Sequence, residues 1–132
     1  MFLTNTDDVY HLAYWNKLRI NLGDPWMLFI DTDESETGFP AYGRMADYMI
    51  RGNRLFSYAN DPNRLWSWDF VGELETVTRY NVAEFRFPKD WLDLQSGTDI
   101  QLKFFGDNRM IPGGDAREAY PNGSNWLEYE IK

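Results

Sequence analysis

Four consecutive apolar residues, Met27-Leu28-Phe29-Ile30, run directly into Asp31-Thr32-Asp33. Alternate side chains of a strand point to opposite faces, so this strand is apolar on both and suits burial between two layers. Its end is abrupt. An acidic loop with Glu34, Glu36, Gly38, Pro40 and Gly43 follows, and a second stretch, Asp47-Tyr48-Met49-Ile50, opens on another carboxylate. Two strands joined by that loop bring Asp31, Asp33 and Asp47 together, either as a site for a small hard cation or as a solvated acidic turn.

The rest of the chain reads as short strands divided by turn signals. Phe2-Leu3 reads as the tail of a strand, and Val9–Trp15 as a strand with Tyr10, Leu12 and Tyr14 on one face. Asn16–Pro25 is a connector turning at Gly23-Asp24-Pro25. Asp47–Arg51 and Arg54–Ala59 flank Gly52-Asn53, a two-residue hairpin signal. Trp66–Phe70 alternates cleanly and Glu73–Tyr80 less so. After Asn81, Ala83, Phe85 and Phe87 oppose Glu84 and Arg86. Pro88–Leu94 looks like one helical turn, with Trp91 and Leu94 on one side. Ile100–Phe105 and Trp126–Ile131 are the last two strands, with Ile100, Leu102 and Phe104 inward. Almost no helical periodicity interrupts this pattern, which implies an all-β antiparallel sandwich of the jelly-roll or immunoglobulin-like kind. The 132 residues fit one domain. The long loops Asp31–Ala46 and Gly106–Ser124 are the places to look for function.

Charge and composition narrow the function. The 21 acidic residues against 13 basic give a net charge of −8, which repels nucleic-acid phosphates and anionic lipid. Without cysteine there are no disulfides, zinc thiolates or thiol chemistry. No apolar run reaches the roughly 18 residues of a membrane helix. Met1–Leu12 has neither the basic nor the apolar region of a signal peptide, so an exported protein would carry its signal elsewhere. Aromatic residues, 17% of the chain, exceed what a domain of this size usually hides and favour an aromatic binding surface.

Particular residues then carry the candidate chemistry. Asp31, Asp33, Glu34, Glu36 and Asp47 supply hard oxygen donors suited to calcium. An EF-hand would need glycine at the sixth position of the loop and glutamate at the twelfth, where Glu36 and Tyr42 stand. Acidic turn residues capping backbone amides are the bland alternative. Glycosidase chemistry needs two carboxylates across a cleft, and among 21 acids some pair is always available, so that signal is weak. The lone His11 has no nucleophile elbow near it and reads as a half-exposed strand residue. Trp66 and Trp68 would share one face of a strand, either packing in the core together or forming a flat sugar-stacking platform, and core is the better reading for at least one. Trp15, Trp26 and Trp126 lie at strand ends beside loops, where a ring can stack on a pyranose. Tyr120 and Asn125 are placed to join the same rim.

Three blocks together resemble the family 9-like carbohydrate-binding modules, part of a wider group of DOMON-like β-sandwiches. They are Phe29-Ile30-Asp31-Thr32-Asp33 with Thr37-Gly38, Ala46-Asp47-Tyr48-Met49-Ile50, and Trp66-Ser67-Trp68-Asp69-Phe70-Val71-Gly72. Val82–Pro88 with Trp91-Leu92 is similar to that family's late strand and short helix. Leu102–Asn108 is similar to its next strand and Asp-Asn corner. The likeness runs from about Val9 onward. The family's first strand is missing or clipped, as though Met1 marked a cut in a longer polypeptide, and the segment from Gly113 follows the family ending loosely.

The resemblance implies a non-catalytic module attached to a secreted bacterial enzyme that degrades polysaccharides. It implies an extracellular, cell-surface or periplasmic setting and a polysaccharide or oligosaccharide partner. Structural calcium in the acidic loop is implied too, with Asp31, Asp33 and Asp47 matching the family's acidic positions. The expectation is therefore a sugar-binding accessory domain. Its rival is a spacer packed on a covalently linked enzyme domain.

Overall fold

The computed structural model describes residues 2–6, 8–15, 27–33, 35–80, 82–92, 94–105, 119–120 and 124–132, and the side chains of Phe2, Tyr14, Trp15, Phe105, Ala119 and Tyr120 are outside that description. In chain order the strands are β1 (Phe2–Asn5), β2 (Val9–Trp15), β3 (Met27–Asp31), β4 (Phe39–Ala41), β5 (Arg44–Ala46), β6 (Tyr48–Arg51) and β7 (Arg54–Tyr58). They continue with β8 (Trp68–Glu73), β9 (Glu75–Arg79), β10 (Val82–Pro88), β11 (Asp99–Phe105), β12 (Ala119–Tyr120) and β13 (Leu127–Glu130). A 3₁₀ turn, Lys89–Trp91, follows β10 where Pro88 stops the ladder.

All pairings are antiparallel, as the hairpin-rich pattern requires. A small sheet runs β1-β2-β10-β9, and a large one runs β12-β11-β3-β6-β7-β8, with β13 sharing the β11 edge with β12. Tyr10, Leu12, Ala83, Phe85 and Phe87 from the small sheet meet Leu28, Ile30, Ile50, Leu55, Ile100, Leu102 and Phe104 from the large one in a single buried core. Each such large side chain contributes about 1.5–3 kcal/mol by burial. From β8 to β9 the chain passes between the sheets through a single residue: β8 ends at Glu73, β9 begins at Glu75, and Leu74 between them is buried with its N–H donated to the Asn53 carbonyl at 2.7 Å. Gly72 lets the 3₁₀ turn close in, since a Cβ there would come within 2.3 Å of the Trp91 ring.

The opposite face of the large sheet is covered too. Met27, Phe29 and Met49 pack under Ala41 and Ala46 of the β4–β5 hairpin, with Phe39, Phe56, Trp68 and Trp126 around them. β3 is therefore buried along its whole length, as its double-sided apolar pattern demands. The hairpin itself lies within the stretch expected to be a loop. Its two-residue turn, Tyr42-Gly43, has φ of 44° and 84°, which matches the twist of a two-stranded ribbon, but tyrosine rarely takes this conformation. The strand expected from Trp66 begins instead at Trp68, because the buried Ser67 turns back to the 59–61 loop: its carbonyl accepts the Ala59 N–H and its hydroxyl the Asp61 N–H. Ala119–Tyr120 forms a short strand where a long loop was expected. The connector 16–25, Asn81 and the stretch 106–118 lie outside the described residues.

Tyr10 is fully buried, and its hydroxyl has no hydrogen-bond partner among the described residues. Burial also pushes its phenol up to about 12. An unmatched buried hydroxyl carries a desolvation cost of about 1–3 kcal/mol. Tyr10→Phe is expected to raise the urea unfolding free energy by about 1 kcal/mol at neutral pH; a loss of stability would show that the hydroxyl is satisfied.

Candidate functional site

The acidic cluster forms where β3 leaves the sheet. Asp31 is the last residue of β3, and its side chain is almost wholly buried. Arg44 on β5 meets it, with Nη1 2.9 Å from Asp31 Oδ2. Asp31 Oδ1 accepts the Asp33 N–H at 3.2 Å, and Asp33 Oδ1 accepts the Ser35 N–H at 2.7 Å. Asp47 precedes β6, and its Oδ2 accepts both the N–H and the hydroxyl of Thr32, at 2.8 and 2.7 Å. One oxygen from each of the three aspartates lies within 4.8 Å of the others. That is the span of oxygens bonded at about 2.4 Å around a single calcium ion, so the donor chemistry and spacing fit. Each carboxylate also has an amide or guanidinium partner, as the capping alternative requires. Burial pushes the Asp47 carboxyl above its ordinary pKa, the Thr32 hydrogen bonds oppose the shift, and the charges of Asp33 and Asp31 add to it. Glu34 is outside the described residues, and Glu36 is exposed on the loop.

A second feature is aromatic. Phe39, Tyr58, Trp66 and Trp68 pack as a group over the outer face, with Phe39 and Trp68 also against Phe29. Trp66 stands edge-on to Phe39 at 5.1 Å and to Trp68 at 5.7 Å, yet is 41% exposed. Its ring is thus held in place and still open to solvent. Leu65 beside it and Phe70 on β8 are more exposed, and Asn60, Asp61, Asn63 and Arg64 supply polar groups on the same loop.

Trp126 has a different environment. It is half-buried against the outer core, and its Nε1 donates to the Tyr42 carbonyl at 3.3 Å. Trp66 therefore abuts the Phe39 end of the hairpin and Trp126 the Tyr42 end. Asn125 is exposed, and its carbonyl accepts the Lys103 ammonium at 2.7 Å. Trp15 ends β2 opposite Val82, and Tyr120 lies in β12 opposite Phe104. Trp26 lies outside the described residues.

Two features were not anticipated from the sequence. Lys103 points away from the inner core, which suggests a wet lysine, but the hairpin covers that face and Lys103 is fully buried. Its ammonium lies 5.2 Å from the centre of the Tyr42 ring, and burial lowers its pKa. The double-sided apolar pattern of β3 was the available signal, because the strand beside it must be covered as well. The other feature is a shallow trough of about 450 Å³ on the outer face of the small sheet, lined by His11, Ala13, Glu75, Val77, Glu84 and Arg86 among others. Here Glu75 pairs with Arg86 at 3.8 Å, and both side chains are more than half exposed.

Comparison with known proteins found no matching family model, curated protein or solved structure. Among the described residues, no helix is long and apolar enough to cross a membrane.

The folded chain holds the Asp47 proton more tightly than the unfolded chain does, so ionisation of this group works against folding. Its contribution is most favourable below the ordinary pKa of 3.8 and is lost as pH rises through the higher folded value. Asp47→Asn keeps an oxygen for Thr32 and removes the titration. Relative to that variant, the parent chain is expected to lose urea stability as pH climbs from about 3 to about 7 in chelator. A parallel pH dependence in the two proteins would count against it.

Proposed function

We propose that this chain is a non-catalytic carbohydrate-binding module of a secreted, polysaccharide-active protein. Trp66 is its stacking platform and the Asp31–Asp47 cluster a structural calcium site. The observation that carries this reading is the immobilised, solvent-open ring of Trp66. Holding an aromatic surface before the ligand arrives avoids an ordering cost on binding. A pyranose presents an apolar face to such a ring, and the polar side chains of residues 60–64 are suited to its hydroxyls.

The resemblance to family 9-like modules supports the same reading and suggests a linked enzyme domain. A calcium ion would be held by Asp31, Asp33 and Asp47, where it would offset mutual repulsion and fix the loop. The alternative, a spacer packed on a neighbouring enzyme domain, is favoured by the exposure of Leu65 and Phe70 near the same edge.

A glycan array and titration calorimetry on the purified chain test the reading. Trp66→Ala is expected to weaken sugar binding at least about tenfold, while the partly exposed ring costs little stability. Failure of the parent chain to bind any glycan would remove the module reading and leave the spacer.

Calcium at about 100 times its Kd should add about 2.7 kcal/mol, or several degrees in Tm, relative to chelator. Asp33→Ala should abolish that shift. An unchanged Tm in the parent chain would exclude the ion.

A further inference from the structure

β9 is an edge strand: among the described residues it pairs with β10 alone. Four of its five residues are exposed, and no other strand among the described residues lies on its side opposite β10. Folded proteins usually blunt such an edge with lysine, proline or a bulge. The β8 edge of the large sheet follows that rule, since the β7–β8 pairing is irregular at Leu55/Phe56. β9 has no lysine, proline or bulge and carries charge only at its two ends, Glu75 and Arg79, while its middle, Thr76-Val77-Thr78, is made of strand-forming β-branched residues.

That sequence is also complementary to itself in reverse. The β10 register puts Glu75, Val77 and Arg79 opposite Arg86, Glu84 and Val82, on the outer face of the sheet. Two copies of β9 placed antiparallel about a two-fold axis through Val77 would set each Glu75 against the other copy's Arg79. Thr76 would face Thr78, and the two Val77 side chains, each 55% exposed in the single chain, would meet at the axis. Opposite charges and β-branched pairs directly across a ladder are the stabilising combinations. An isologous contact of this kind closes on itself and stops at two copies.

We infer that β9 is a homodimerisation edge, joining two small sheets into one continuous eight-stranded sheet through antiparallel β9–β9 pairing. Its occupant is a second copy of this chain, because the charge order Glu-to-Arg matches itself at both ends. Five residues make a small interface, so the association is weak and concentration-dependent. The inference is independent of sugar binding.

Sedimentation velocity at low salt, from about 5 μM to about 1 mM chain, is the test. The apparent mass should rise towards twice 15.6 kDa as concentration increases. Val77→Lys sets two ammonium groups against each other at the axis and should leave a monomer. Arg79→Glu opposes like charges at both ends and should weaken the dimer on the order of tenfold. Adding Glu75→Arg to that variant should restore most of the loss. Circular dichroism at the lowest concentration checks that each variant is folded as a monomer. A monomer at every concentration, a dimer indifferent to Val77→Lys, or no rescue by the double reversal would each overturn the inference.

Discussion

Burial of β3 on both faces is the constraint from which the rest of this structure follows. A strand of Met, Leu, Phe and Ile cannot leave either side wet without exposing large apolar area. The small sheet covers Leu28 and Ile30, so something else must cover Met27 and Phe29. The chain supplies that cover from the residues that follow at once, folding the β4–β5 hairpin back over the strand it has just left. The same geometry fixes the acidic cluster. Asp31 is the first polar residue of the buried strand, and it lies under the hairpin rather than in solvent.

A carboxylate in that position is tolerable only with a partner, since an unpaired buried charge costs several kcal/mol. Arg44 is that partner and comes from the hairpin. Asp47 is treated differently: two hydrogen bonds from Thr32 satisfy one oxygen, no cation meets it among the described residues, and burial raises its proton affinity. The two aspartates thus differ in how their charge is met, although both border the same loop. One meets a guanidinium within the fold, and the other is met by the hydrogen bonds of Thr32.

Much of the sandwich was legible in the sequence because its strands alternate cleanly and its turns carry Gly-Asn or Asn-Asp-Pro signals. β2, β7 and β10 fall within a residue of where the pattern places them. The hairpin was not legible, for a physical reason. Its strands are three residues each, too short for alternation to register, and its turn uses Tyr42 in a left-handed conformation that the residue type does not advertise. The crossing at Leu74 was hidden for a related reason: a strand that changes sheets keeps its extended backbone, so only tertiary contact marks the change. At the candidate site, proximity of Asp31, Asp33 and Asp47 followed from two strands joined by one loop. The partnership with Arg44 did not, because it depends on the unseen hairpin. The burial of Lys103 depends on the same hairpin.

The hairpin also makes the two candidate features mechanically one. Phe39 on β4 supports the Trp66 ring, while Arg44 on β5 holds Asp31, and the two strands are joined through paired backbone at Phe39–Ala46 and Ala41–Arg44. Ala41 and Ala46 seat one face of this small ribbon on the outer core. Arg44 and Phe39 therefore sit on one paired ribbon that links the buried carboxylate to the support of the Trp66 ring. Lys103 and Trp126 grip the other end through the Tyr42 ring and carbonyl, which limits rotation about that end. The position of the exposed tryptophan is thus set less by its own loop than by the packing of a hairpin anchored at a buried carboxylate.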